Sequence, residues 1–280
     1  MASGSTEFID VTTADAFLAE IWSMEALIAR ESKLVFGKNI NRDFQKEMSK
    51  GDTLHVPGIS NMSARQKTAA AAVTYETATE SNTDIVVDQY YYAAFAVEDI
   101  ISVQQSQNLR ARYAPKLGYA LALQEDDSLA ALIDDFSQTV GTLNTDLTDD
   151  NLIRADQYLN DADVPEDGRV IIVSPAQKAG FLKMDKFVNK DYREGGAVST
   201  GKLGSIYGYE IFVSTNVDGA NGSGHDCALM HREAIAEITQ MKPKAESARD
   251  IDYLCDKVVL SQLWGVKEMR DTSGVWMKGL

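Results

Sequence analysis

The segment Gly195-Gly196-Ala197-Val198-Ser199-Thr200-Gly201-Lys202-Leu203 contains the spacing G-x-x-x-x-G-K. In a phosphate-binding loop that spacing lets backbone amides cradle the anion while the lysine reaches the outer phosphoryl oxygens. The chemistry also needs a strand feeding the first glycine, a helix whose N-terminal amides face the phosphates, and a Ser or Thr directly after the lysine to hold Mg²⁺. None of these is met. Upstream lies the polar run DKFVNKDYRE, the residue after Lys202 is Leu203, and the downstream LGSIYGYEIF has two glycines and a strand-like tail. The segment reads as a glycine-punctuated loop between a helix and a strand. A soluble enzyme with a nucleotide site at Gly196 to Lys202 remains only as a rival.

His225, Cys227, His231 and Cys255 are the right residue types for zinc, but H-x-C-x₃-H with one distant cysteine lacks the paired, close spacings of zinc ribbons and fingers. Core thiols and surface imidazoles account for the same residues, and no metal is expected. The carboxylate pairs Asp126-Asp127, Asp134-Asp135 and Asp149-Asp150 suggest acid/base work, yet adjacent helical residues point in different directions, so each pair reads as a solvated face. Ser174, in VIIVSPAQ, lacks the glycines of a nucleophile elbow. No catalytic, cofactor-binding or metal residue is assigned, no cofactor is expected, and the expected class is non-enzymatic.

The chain of 280 residues carries 27 Lys and Arg against 42 Asp and Glu, a formal charge of −15. That balance opposes tight binding to nucleic acid, which depends on basic side chains releasing counterions from phosphates. It is compatible with a wall that stands near nucleic acid and grips it weakly. Two cysteines without a C-x-x-C pair give no disulfide framework. No apolar run approaches the roughly 18 residues of a membrane span, and MASGSTEFID lacks the basic start and apolar core of a signal peptide, so a soluble chain made in the cytosol, with no membrane partner, is expected.

The elements that must position any site follow from periodicity. ADAFLAEIWSMEALIA, after Thr12-Thr13, predicts an amphipathic N-terminal helix behind a short polar arm. DTLHVPG (52–58) and DIVVDQYYYAAFAV (84–97) read as two strands able to pair antiparallel, the second placing Ile85, Val87, Tyr91, Ala93, Phe95 and Val97 on one face. Between them residues 59–83 are too small and polar to build a core, and a structureless link that long is uncommon in a domain. Either it is a disordered surface loop or it lies across another chain.

A long helix is predicted over residues 108–136, with Leu109, Tyr113, Leu117, Ala120, Leu121, Leu132 and Phe136 along one stripe and Pro115 marking either its start or a kink. Its charges oppose the macrodipole: Arg110, Arg112 and Lys116 lie near the start, and Glu125, Asp126, Asp127, Asp134 and Asp135 towards the end. Either neighbouring copies or solvent must compensate. Residues 148–164 predict a capped helix. RVIIV (169–173) predicts a buried strand leading into a helix with Ser174 as N-cap and Pro175 at its first position, and YEIFVSTNV a further strand. DGANGSGHD reads as a turn, ALMHREAIAEITQMKP has no clean period, and the C-terminal strands read as joined at a hairpin turn, Asp271-Thr272-Ser273-Gly274.

The order of these elements resembles the major capsid proteins of tailed bacteriophages, with their Hong Kong 97-like fold. The likeness is carried by Gly168 to Val217: a strand ending in Ser-Pro, a helix, a loop, and a pattern G-x-(L/I)-G-x-(I/L)-x-G-(F/Y)-x-(I/V)-x-x-S, matched by Gly201 through Ser214. The resemblance implies an α+β chain with an N-terminal arm (1–40), an extended loop hairpin (41–92), a peripheral domain with a long spine helix (93–144), an axial domain (145–240) and peripheral return strands (241–280). It also implies an extended loop lying over a neighbouring subunit, and spine-helix charges met across an interface.

The implied function is self-assembly into hexamers and pentamers of an icosahedral head around double-stranded DNA, inside the host bacterial cytoplasm. Scaffolding and portal proteins are the implied partners, with a decoration protein optional. Some relatives lock their shells by an isopeptide bond from a loop lysine to an asparagine; Lys67 is the only lysine in the middle of the loop and no asparagine aligns to it, so a non-covalent shell is expected. An encapsulin-like compartment enclosing an enzyme cargo is the alternative on the same fold.

Overall fold

The run from Arg169 to Val173 consists of apolar β-formers behind a single arginine, and all five residues are buried, as expected for a strand covered on both faces. It is β5 in a computed structural model that describes residues 34–48, 50–59, 62–70, 72, 73, 75, 77, 80–99, 109–184, 205–220 and 222–280. The expected N-terminal helix and the whole Gly195–Leu203 loop lie outside the described residues. Those described fall in the unit Ser32–Leu280.

The strands are β1 (Thr53–Ile59), β2 (Glu80–Val86), β3 (Gln89–Glu98), β4 (Thr139–Gly141), β5, β6 (Ser205–Ile206), β7 (Tyr209–Val213), β8 (Gly219–Ala220), β9 (Gly224–His231), β10 (Ile235–Asp250), β11 (Cys255–Glu268) and β12 (Gly274–Gly279). The helices are α1 (Leu109–Ala130), α2 (Asp149–Asp161) and α3 (Pro175–Phe181). One sheet runs β4-β12-β9-β5-β7-β6 with β8 on β9, a second runs β10-β11-β3, and β1-β2 form a two-stranded hairpin.

In the first sheet β5, α3 and β7 are built as the sequence predicts, whereas β9 occupies residues read as a turn and an aperiodic run. β5 pairs parallel to β7, so the chain must cross over between them, and α3 begins that crossover. Ser174 caps α3 by accepting from the Gln177 amide at 3.0 Å, and Pro175 occupies the first turn, where its missing N–H costs nothing. Thr148 caps α2 in the same manner, accepting from Asn151, and Leu152, Ala155 and Leu159 form that helix's buried face. β6 and β7 meet in a two-residue turn, Tyr207-Gly208, with φ of 51° and 88°. Both central residues being left-handed is the mirror-image turn that suits strand twist, and Gly208 serves it as a turn residue.

The second sheet carries α1 on one face. Trp264 is buried there and stacks on Tyr91 at 5.1 Å, and Phe95 meets Tyr113 at 5.8 Å between ring centres. α1 includes Pro115 and ends at Ala130, earlier than the periodicity predicts. The chain then tightens through short turns, and Ile133 and Phe136 are buried beyond the helix. On the predicted stripe Leu121 is buried, while Tyr113 and Ala120 are exposed.

Three other expectations are corrected. The single strand predicted over 84–97 breaks after Val86: β2 pairs with β1 as expected, whereas β3 pairs with β11. The alternation runs unbroken because both halves use the same parity. Residues without a clean period conceal the 16-residue β10, whose first four residues are buried on both faces and whose outer half is exposed on both. Its register shifts around Pro243, which cannot donate to a ladder. Residues Asp271–Ser273 form a 3₁₀ turn that passes the chain from one sheet to the other, so β11 and β12 are not a hairpin. The segment 241–280, expected to return to one region, therefore divides between the two sheets.

The hairpin base sits on the second sheet. Ile85 and Val87 pack with Met48, Ala236 and Ile238, and the Val87 amide donates to the Asp52 carbonyl at 2.8 Å. This approach requires Gly265: a Cβ there would collide with the Val86 carbonyl oxygen and lie 2.9 Å from the Val87 Cα, both backbone atoms. Gly265→Ala is expected to cost about 1–3 kcal/mol by overpacking. Urea unfolding measures the loss, and an unchanged midpoint would show that the hairpin base shifts freely.

Candidate functional site

The β1-β2 hairpin leaves its base as an isolated two-stranded ribbon, paired in register from Thr53↔Val86 to Ile59↔Glu80. Such a ribbon is marginal in water without cover. Every residue from 62 to 70 is exposed, and Met62, Val73 and Tyr75 present apolar surface, Tyr75 at 89 % exposure. Arg65 and Lys67 place positive charge on this part of an acidic chain. On the strands, His55 and Asn82 both bond to Asp84, each at 2.6 Å.

A second projecting feature is the turn between β10 and β11, where Ile251, Tyr253 and Leu254 are exposed. The turn is held in shape. The Asp250 carboxylate accepts from the Asp252 and Tyr253 amides and pairs with Lys257, and Arg249 forms a two-bond fork with Asp99. These exposed ion pairs contribute little stability, so their role is to fix geometry. On the sheet face away from α1, the aligned residues Tyr90 and Tyr92 are exposed as well.

Two carboxylates at the acidic end of α1, Glu125 and Asp126, find their partners inside the chain. Asp126 is 2 % exposed. It accepts from the Val35 amide at 3.2 Å, the Gly37 amide at 3.3 Å and the Asn216 side chain at 2.9 Å. Glu125 pairs with Arg42 at 2.7 Å and accepts from Gln262 at 2.8 Å. Arg42 also holds the buried Glu237 through Nη2 at 2.6 Å and Nε at 3.1 Å. Glu237 is pushed up to about 7 by burial first and then by Glu125, with Arg42 acting in the opposite direction. Sequence reading missed Arg42 and Glu237, and it took Asp126 for part of a solvated face, where three hydrogen-bond donors instead hold it buried. The only available signal was the macrodipole mismatch, which says that a partner exists without naming it.

The residues weighed for catalysis do not converge. Cys227 is buried in the first sheet and its thiol is pushed up to about 12, mainly by burial, so it is inert at neutral pH. Cys255 is buried at the start of β11, in the other sheet. His231, expected on the surface, is buried and bonds through Nε2 to the Asp167 carbonyl at 3.0 Å. His225 precedes Cys227 on β9. Among the described residues no group of three or more His, Cys, Asp or Glu is placed to hold a metal ion.

Ser174 is engaged structurally, its hydroxyl donating to the Leu280 carbonyl at 2.6 Å while capping α3. Asp149 accepts from the Tyr207 hydroxyl, which burial and that bond push up to about 12. Asp134 and Asp135 are exposed, as a solvated pair should be. Two open depressions, of about 510 and 500 Å³, share Asp127 in their linings, and neither lining includes a histidine to activate a nucleophile.

A chain with two sheets, a long helix on one of them and a projecting hairpin is an α+β Hong Kong 97-like capsid subunit, and the comparisons agree. The structure is similar to one from Mycobacterium phage Che8 (26 % identity, 93 % of this chain and 97 % of that one, TM-score 0.84). It is also similar to the capsid structure of the cyanophage P-SCSP1u (17 %, 95 % and 94 %, TM-score 0.79) and to the mature capsid of bacteriophage PhiM1 (16 %, 93 % and 91 %, TM-score 0.74). Curated protein sequences contain no match. The sequence model of the phage capsid protein family matches residues 44–261, and the chain belongs to that family. Its role is that of a tailed-phage major capsid protein.

Proposed function

We propose that this chain assembles with copies of itself into hexamers and pentamers that close an icosahedral head around double-stranded DNA. The observation that supports this most directly is the hairpin, in which Met62, Val73 and Tyr75 are left exposed by the described residues. A neighbouring subunit would bury them, and many such weak interfaces per subunit add up to a stable closed shell. The acidic balance suits a wall that does not grip the DNA being packed.

In this reading residues 41–92 act as the extended loop, 93–144 as the peripheral region with α1 as spine, and 145–240 as the axial region. The strands after 241 serve both sheets. Scaffolding and portal proteins are the further partners, a decoration protein is optional, assembly takes place in the bacterial cytoplasm, and the shell is non-covalent. No enzymatic step enters.

The test is size-exclusion chromatography with negative-stain electron microscopy of the chain expressed alone and co-expressed with a scaffolding protein. Closed shells of many megadaltons, dissociating to single chains on a denaturing gel, are expected. A monomer or dimer under both conditions overturns the reading, and a ladder of linked chains on the gel overturns the non-covalent shell.

A further inference from the structure

A sheet edge presents a row of backbone N–H and C=O groups with no strand to receive them, and folded chains blunt such edges with short strands, charge, proline or bulges. The described edges follow that rule with one exception. In the first sheet the edge strands β4 and β6 have three and two residues, and the side strand β8 has two. In the hairpin, β1 carries Pro57 and β2 carries Glu80 and Asp84. In the second sheet the β10 edge has Lys242, Pro243, Lys244 and Arg249, and its register shifts on either side of Met241.

The opposite edge of that same sheet is the exception. β3 is a strand of 10 residues, QYYYAAFAVE, with no proline, no glycine and no charge before Glu98. It pairs with β11 along its whole length and, among the described residues, with no other strand. An antiparallel strand turns every second residue's amide and carbonyl away from its partner, so half of the β3 backbone faces outward. Side chains do not screen it. Tyr90, Tyr92, Ala94 and Ala96 are exposed, and Tyr91 keeps 38 % exposure despite stacking on Trp264. The chain also contains a matching strand. Residues 62–68 belong to no helix or strand and are all exposed, and within them ARQKT (64–68) has no proline or glycine to interrupt a ladder. Its charges, Arg65 and Lys67, are basic and fall on one face of an extended chain, whereas the charges that bound β3 are the exposed Asp88 and Glu98.

We propose that residues 64–68 of one copy add to the β3 edge of a neighbouring copy as a further strand of its second sheet. This rests on the self-assembly proposed above and names what the extended loop grips. Within one subunit the two do not meet, since β3 pairs with β11 alone among the described strands. In strand addition main-chain hydrogen bonds supply the affinity and side chains only select the partner. A stretch of small and polar residues therefore suffices, where docking by apolar contact would call for a hydrophobic stripe. The complementary signs favour the loop of another copy over the β10 edge, which carries Lys242, Lys244 and Arg249, as the occupant.

The test is a proline scan of the full chain from Ala64→Pro to Thr68→Pro, with shell yield read by size exclusion. Proline removes one backbone donor and keeps an extended path. Only alternate amides of an added strand face the edge, so prolines of one parity are expected to lower shell yield by about tenfold or more, and those of the other to leave it within about twofold. These residues are exposed and lie outside both cores, so every variant subunit should keep the wild-type circular dichroism. Alanine at the sensitive positions keeps the donor and should cost far less. In wild-type shells, residue-resolved hydrogen exchange of the outward β3 amides should be slower than in free subunits by about tenfold or more. Yields lost or kept equally at every position, or an alanine loss as large as the proline loss, overturn the added strand. So does β3 exchange that is the same in both states or already slow in free subunits. Each of these outcomes sinks this inference while wild-type shells still form; a wild-type chain that forms no shell overturns the self-assembly reading beneath it.

Discussion

Asp126→Ala lowers the stability of the subunit by about 2–5 kcal/mol, because three neutral donors lose a buried charged acceptor. The carboxylate sits at 2 % exposure with donors from two separate parts of the chain, so its removal strands the Val35 and Gly37 amides and the Asn216 side chain where water does not replace it. Each stranded buried donor costs about 1–3 kcal/mol, offset in part by relaxation. Urea unfolding monitored by tryptophan fluorescence measures the loss. Asp126→Asn, which keeps one acceptor oxygen, should lose less. A midpoint unchanged in the alanine variant would mean that residues 34–37 detach without consequence for the rest of the fold.

Replacing residues 60–79 by Asn-Gly abolishes shell formation and leaves the subunit folded. Ile59 pairs directly with Glu80, so a two-residue turn of this type closes the shortened hairpin without altering register. The packing of Ile85 and Val87 at the base is untouched, and the unfolding free energy should change by no more than about 1 kcal/mol, as for surface changes. Assembly should fall by two or more orders of magnitude, roughly 10²-fold, because an interface removed from one subunit is removed from every copy in the shell. Chromatography separates shells from free subunits. Shells of normal yield from the shortened chain would show that the hairpin tip takes no part in assembly.

Local signals in the sequence were the reliable ones. Ser174-Pro175 and Thr148 dictate helix starts through a hydroxyl and a ring, and RVIIV could only be a covered strand, so α2, α3 and β5 were legible. β10 was not, because a strand buried on both faces at one end and exposed on both at the other has no period to read. The turn at Asp271 was placed correctly but misread as a hairpin, since turn residues record that the chain bends and say nothing of which sheet receives it. The ion-pair cluster was illegible for a related reason: Arg42, Glu125 and Glu237 are far apart in sequence, and only folding joins them. The exposed stretch 62–70 was legible by what it lacked, apolar residues enough to build a core.

The position of β12 has a consequence for synthesis. It lies between β4 and β9, parallel to one and antiparallel to the other, yet its residues 274–279 leave the ribosome after every other strand of that sheet. A nascent chain holds β4 and β9 with a gap between them until this last piece arrives. A product interrupted anywhere before Gly274 leaves β4 without its strand partner, so the first sheet cannot be completed.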